Sequence, residues 1–287
     1  MRILLTGRFV NEKGNGGGSG SFFKILNNGF LLLGHETVLT SEPEKFLNRH
    51  FDLIISSHEK LNVVRQMDAF KIHVCHGAYE GPESPREGAD KYVAVSEQVQ
   101  NFLKEYGYES EVIRQPIEVF DFMDLPREGN ILFIKNNGTD CLQWWKNIPK
   151  IRRFFRESEI WGIKDIIVAK RNVPINEQIL KAKIVISLGR GALEAMALSR
   201  CVIVADNRRN IGLKGDGYLD GVKAENSMKY NYNGNAYGFE ATREWLLNEI
   251  RKFNPETAKE LHEHVIKYHE VKMIAEQYIE LMKKNAR

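Results

Sequence analysis

Short continuous apolar runs alternate along the chain with segments whose apolar residues recur at helical spacing. "RILLT" opens the pattern as a buried-strand run, and a glycine-rich stretch follows it. "SGSFFKILNNGFLLLG" then carries apolar residues at i, i+3 and i+4 spacing, with Gly34 suited to end a helix. "ETVLTS", "FDLIISS", "FKIHVCH" and "KYVAVS" are short, β-rich and apolar on successive positions, as in parallel strands buried on both faces. "SEQVQNFLKEYG" reads as a complete small helix, with Ser96 as N-cap and Gly107 at its end. "SEVIRQP" reads as the last strand of this half.

The pattern breaks over "QPIEVFDFMDLPREGN", where Pro116 and Pro126 interrupt and no periodicity holds. Alternation restarts at "NILFIKNN" and continues through "DIIVAK", "AKIVIS" and "CVIVAD". From Glu240 onward the chain reads as helical, with Asn254 and Pro255 as N-cap and first-turn proline of a late helix. Two successive βαβ series predict two doubly wound, Rossmann-like α/β domains. The expected division is 1–118 for the first domain, 119–129 for a connection, and 130–287 for the second domain with the C-terminal helices. Residues 207–237 yield no reading.

Composition narrows the function classes. Lys and Arg total 41 against 38 acids, so the net charge of +3 gives no general drive toward nucleic acid. The cysteines Cys75, Cys141 and Cys201 are distant from one another and form no metal spacing, which fits a reducing, cytoplasmic setting. No apolar run approaches the roughly 20 residues of a membrane span.

Four places carry candidate chemistry, all at the expected carboxyl ends of strands, where open α/β sheets bind ligands. The first is the glycine run from Gly14 to Gly20. There Gly16, Gly17 and Gly18 permit close backbone approach, and a helix N-terminus presents free N–H groups to an anion. It matches neither the dinucleotide fingerprint nor the P-loop. The second is His76-Gly77; His73, in mid-strand, reads as packed. The third is a set of cations, Lys135 after "NILFI" and Lys170 with Arg171 after "DIIVA". The fourth is "SLGRGALEAMALS". "LGRG", with Gly189, Arg190 and Gly191, reads as a turn into the short helix "ALEAMALS", which carries Ala192 and the single carboxylate Glu194. A bland account of Glu194 is adequate by itself, since a carboxylate is favoured in a helix's first turn. His262 and His264 lie two apart and do not share a helical face. Asp216 and Asp220 form no D-x-D clamp, so no metal is expected.

The segment "GRGALEAMALSRCVIV" resembles the donor-binding segment of retaining GT-B glycosyltransferases of the group 1, or family-four, type. The opening "MRILLTG…GGGSGSFFKILNNGFLLLGHETVLTS", the "VCHG" segment and the run "YVAVSEQVQNFLKEYG…VIRQPIEV" are similar to that family in the same order. The likeness covers most of residues 1–206. Two positions depart from it: the first of the family's two glutamates would fall on Ile186, and the Gly-Arg after the first strand of the second domain is "KNN" here.

The resemblance implies a nucleotide-diphosphate sugar, such as a UDP- or GDP-sugar, bound mainly to the second domain. Gly189, Gly191, Ala192 and Lys170 would lie against it, and Glu194 would accept ribose hydroxyls. Lys135 and Arg190 would offset the departing diphosphate, with His76 on the catalytic side. Gly16, Gly17 and Gly18 would approach the donor or acceptor as the halves close about 114–129. It further implies retention of configuration, no cofactor and no metal at the donor. The acceptor would be a glycan or another hydroxyl, with peripheral membrane contact or a modified DNA base as open alternatives. A nucleotide-sugar epimerase and a non-catalytic sugar-nucleotide binder also remain open.

Overall fold

The computed structural model describes residues 1–7, 17–81, 84–134, 163–170, 173–205 and 214–285. The chain forms two compact units, Met1–Glu118 with Tyr268–Arg287, and Val119–Lys267.

The first unit holds a six-stranded sheet: β1 (Arg2–Thr6), β2 (Glu36–Thr40), β3 (Leu53–Ser56), β4 (Phe70–Cys75), β5 (Lys91–Ala94) and β6 (Ser110–Val112). All neighbours are parallel, in the order β2-β1-β3-β4-β5-β6. The strand order reverses between β1 and β3, which makes their carboxyl ends the topological switch point of this sheet. Residue alternation explains how both faces are covered. Ile3 and Leu5 of β1, with Leu53 and Ile55 of β3, pack under Phe22, Phe23, Leu26 and Phe30 of α1 (Gly17–Leu32). Leu4 and Ile54 point the other way, onto Phe51, Leu61, Val64 and Met67. The helix α3 (Glu97–Glu105), which follows the short α2 (Leu61–Val64), is capped as expected: the Ser96 hydroxyl accepts from Val99 N at 3.3 Å, and Gly107 closes it at φ +80°. His73 is buried and pairs with Ser56 Oγ at 3.2 Å, in keeping with a packed residue.

The second unit repeats the plan. Its strands are β7 (Gly129–Phe133), β8 (Ile163–Val168), β9 (Ala182–Ser187), β10 (Cys201–Ala205), β11 (Lys214–Tyr218) and β12 (Phe239–Glu240). The order is β12-β11-β10-β9-β7-β8, with β8, β7, β9 and β10 parallel and β11 and β12 antiparallel at one edge. The order reverses between β7 and β9, the second switch point. Ile131, Phe133, Ile184, Ile186 and Ile203 form one core face with Leu246 and Ile250. Six helices complete the described chain: α4 (Ile175–Ile179), α5 (Arg190–Ala197), α6 (Gly221–Met228), α7 (Arg243–Ile250), α8 (Thr257–His269) and α9 (Val271–Asn285).

Two boundaries differ from the expected division. The last helix, α9, is expected in the second domain but packs on α1 of the first unit. Gly29 permits that approach, since a Cβ there would lie 2.8 Å from the Val271 carbonyl oxygen. The segment 119–129, expected as the connection between domains, clusters with the second unit. The buried Arg200 guanidinium donates to the carbonyls of Met123, Asp124, Ile179 and Leu180, and Met123 N donates to Ser199 Oγ at 3.1 Å. With no carboxylate in this set, Arg200 acts as a multidentate staple for backbone that has no ladder of its own.

Candidate functional site

In the second unit, β9 ends at Ser187 and α5 begins at Arg190, so the turn has only Leu188 and Gly189 to reverse the chain. Gly189 sits at φ +52°, ψ −124°, a conformation that L side chains rarely adopt. Space is not the constraint there, since a Cβ would find only Asn231 O at 3.7 Å. Gly191 is required for the opposite reason: its Cβ would collide with Ser187 Oγ. The first turn of α5 can therefore lie directly over the end of β9.

The turn is fixed from outside by a stretch that periodicity left unread. Gly189 N donates to the Tyr232 carbonyl at 2.8 Å. Asn231 and Tyr232 are themselves left-handed, at φ +54° and +52°. The Tyr232 ring is fully buried and its hydroxyl pairs with His264 Nε2 at 2.7 Å. His262 bonds elsewhere, to Ser199 Oγ at 3.2 Å, so the two histidines do separate structural work.

On α5, Arg190 and Glu194 face each other one turn apart. Arg190 Nε donates to Glu194 Oε1 at 3.1 Å. Both are largely buried, with side chains 9% and 22% exposed, so this ion pair is screened far less than a surface pair. Burial pushes the Glu194 carboxyl above its ordinary range, and the Arg190 charge and hydrogen bond pull it partly back. The two residues, expected to serve different parts of a ligand, are joined to each other as an ion pair. A carboxylate accepts several hydrogen bonds, so Glu194 retains acceptor capacity beyond its bond to Arg190. Ala192 is buried in the same helix.

Lys170 lies just beyond β8, exposed, with its backbone held by the Gln178 side chain. Lys170 N donates to Gln178 Oε1 at 2.8 Å, and Gln178 Nε2 donates to Lys170 O at 2.9 Å. Gln178 and Tyr232, which the sequence does not single out, hold the backbone at Lys170 and Gly189. The Asn- and Gly-rich "NYNGN" is the available sign of a left-handed turn. Gly16, Lys135 and Arg171 lie outside the described residues.

In the first unit, Gly17 and Gly18 are the first residues of α1 rather than part of a loop. The first N–H groups of a helix have no intrahelical partner, so glycine costs less there than in mid-helix. Gly18 is exposed, and a Cβ added to it would meet nothing within 4 Å. His76 follows β4 as expected and is half-buried, with its ring centroid 4.6 Å from Phe22 and 6.1 Å from Phe23, edge to face. Beside it stands His58, which follows β3 and which sequence reasoning misses. The rule that singles out His76, a histidine beyond a strand's carboxyl end, applies to it equally. Among the described residues, no three His, Cys, Asp or Glu side chains are grouped to hold a metal ion.

Comparison with protein families and with curated proteins finds no match. Solved structures do match, over essentially the whole chain. AviGT4, a glycosyltransferase involved in avilamycin A biosynthesis, aligns at TM-score 0.57 and 13% identity, covering 99% of this chain and 98% of its own. Sucrose-phosphate synthase from Thermosynechococcus elongatus aligns at 0.57 and 12%, with the same coverage. A DNA-modifying β-glucosyltransferase, solved with and without its substrate uridine diphosphoglucose, aligns at 0.53 and 9%, covering 99% of this chain and 100% of its own. At such identities the likeness establishes the fold: two Rossmann-like α/β units, as in GT-B glycosyltransferases.

Proposed function

We propose that the protein is a glycosyltransferase that moves a sugar from a nucleotide-diphosphate donor to a hydroxyl acceptor. The observation that carries this reading is the turn from Ser187 to Glu194. It stands at the carboxyl end of β9, beside a switch point, with a helix N-terminus and a buried Arg–Glu pair on it. The whole-chain fold likeness to three glycosyltransferase structures supports the same reading.

In this account the diphosphate meets the N-terminus of α5, whose N–H groups and dipole favour negative charge. Arg190, aided by Lys135 and Lys170, offsets the charge that grows as the donor's anomeric C–O bond breaks. Glu194 accepts hydrogen bonds from the ribose hydroxyls, and His76 serves the sugar and acceptor. The acceptor oxygen forms the new bond on the face the diphosphate leaves, and its proton passes to the leaving phosphate. Configuration is thereby retained, and fixed cations take the place of a metal. A glycan hydroxyl is the first acceptor to test. Modified duplex DNA is the second, because the phage-type reading has a whole-chain fold counterpart in the DNA-modifying enzyme.

The test is a panel of UDP- and GDP-sugars scored by thermal shift and by donor consumption, with and without EDTA. A donor at 100 times its Kd should add about 2.7 kcal/mol of apparent stability. Consumption should survive EDTA, and NMR of the product should show the donor's anomeric configuration. A protein that neither binds nor consumes any nucleotide sugar would sink the reading, and loss of activity restored by Mn²⁺ would overturn its metal-free form.

A further inference from the structure

The carboxyl ends of β1, β3 and β4 bring together, beside His76, side chains that the proposed function leaves unused. His58 is 4% exposed and holds a left-handed backbone at φ +56°. Such a conformation is uncommon for a residue other than glycine, and buried instances cluster where function maintains them. The ring is anchored on one side by Ser57, whose Oγ lies 2.7 Å from His58 Nδ1. Ser57 is itself held: its N–H donates to the Thr6 carbonyl at 3.1 Å. Gly7 leaves the room this hydroxyl occupies, since a Cβ there would come within 2.9 Å of Ser57 Oγ. On the other side the His58 ring stacks on His76, with centroids 5.9 Å apart and planes 28° from parallel. His76 is therefore boxed by Phe22, Phe23 and His58.

A different backbone at residue 58 would take the ring away from His76. In an ordinary helical or extended conformation the same side chain would leave Cα in another direction. The left-handed residue, the Ser57 bond and the stack thus form one chain of placement, running from the end of β1 through the end of β3 to the end of β4. Thr6 Oγ1, fully buried at the same strand ends, finds no hydrogen-bond partner among the described residues. A buried hydroxyl left unpaired is costly, and a polar ligand group or water at these strand ends would offset that cost.

We propose that His58 is a positioning residue: anchored by Ser57, it fixes the plane of the His76 ring that meets the hydroxyl-bearing sugar or acceptor. This rests on the glycosyltransferase reading for its consequence in turnover, but not for the coupling between the two rings. Its test therefore has two arms. The first is NMR of the ligand-free protein, reading the His76 ring signals in wild type, His58→Asn and Ser57→Ala. Asparagine tolerates the left-handed backbone, so it removes the ring with the least disturbance of the chain. The His76 signals should move strongly in His58→Asn and less, in the same direction, in Ser57→Ala. The second arm measures donor consumption and nucleotide affinity on the same proteins. His58→Asn should lower kcat about tenfold or more while the Kd for UDP stays within about twofold of wild type, since a lost placement affects the chemical step. Ser57→Ala should fall between the two.

His76 signals that stay put in both variants overturn the proposal, as does unchanged kcat. Should His58→Asn fail to fold, Ser57→Ala decides alone by the same criteria. Absence of donor consumption in the wild type would count against the glycosyltransferase reading, while the NMR arm would still decide whether His58 places His76.

Discussion

The two switch points share a plan and differ in chemistry. In each unit the strand order reverses beside the first strand, and in each a buried polar side chain stands just past a carboxyl end: Ser57 and His58 after β3, Arg190 after β9. The β7/β9 end carries charged groups, with a guanidinium in the first turn of α5 paired to a carboxylate one turn further on. The β1/β3/β4 end carries imidazoles and hydroxyls set among phenylalanines. A charged site with a helix N-terminus suits an anion. A site of imidazoles and hydroxyls suits groups that exchange hydrogen bonds without large charge. The fold supplies two switch points, and in the proposed account the side chains at their turns divide the labour between them.

The largest effect should come from breaking the charged turn itself. Gly191→Val places a branched side chain where Ser187 Oγ already stands. Overpacking of this kind costs about 1–3 kcal/mol, so the variant should melt earlier and lose nucleotide binding together, in calorimetry and titration. Retained binding with a normal melting temperature would mean that the turn can shift to admit the side chain.

Glu194→Ala comes next. It removes a hydrogen-bond acceptor worth about 1.5–3 kcal/mol when charged and leaves Arg190 without its carboxylate. UDP affinity should fall by one to two orders of magnitude by titration calorimetry, and Glu194→Gln should lose less. A pH series sharpens the same point. Burial raises the Glu194 carboxyl, so the group takes up its proton at a higher pH than an ordinary glutamate does. UDP affinity should therefore begin to fall on acidification above the usual carboxylate range, and Glu194→Gln should flatten that part of the profile. The sign for stability is opposite to that of a stabilised carboxylate. The contribution of this group is fully present below its unfolded pKa and is lost as pH rises through the raised folded value.

Gly18→Val should have the smallest effect. The position lies in the first turn of α1 with open space around it, and valine is the better helix former, so the change in stability should stay within the helix-propensity scale, below about 1 kcal/mol. Normal binding with reduced turnover would give the glycine run a part in the reaction; a large loss of stability would contradict the open placement.

Much of this arrangement is legible in the sequence, for definite reasons. Strands buried on both faces announce themselves as apolar runs, and "AKIVIS" and "CVIVA" fall where β9 and β10 stand. Ser96 and Gly107 mark the ends of α3 because caps are local chemistry. The allegiance of α9 is not legible, because an amphipathic helix states which face is apolar but not which sheet receives it. Its partner is α1, reached through Gly29, which a helical pattern tolerates without comment. The antiparallel strands β11 and β12 escape because "KGDGY" has neither alternation nor bulk; their pairing comes from neighbours in the sheet. At the site, the motif around Glu194 is visible as a unit. Its bond to Arg190 follows from i, i+4 spacing and is open to foresight. The clasp from Tyr232 and the ring of His58 are not, since both depend on chain segments brought together only by folding.

The central claim is that nucleotide recognition belongs to the charged turn and that the imidazole pair acts on the reaction instead. The most direct test is UDP affinity by titration calorimetry on Glu194→Ala and His76→Ala, measured side by side with wild type at neutral pH. The account predicts a loss of about tenfold or more for Glu194→Ala and no more than about twofold for His76→Ala, whose donor turnover should nonetheless collapse. Equal losses of affinity in the two variants, or an undiminished affinity in Glu194→Ala, would contradict it.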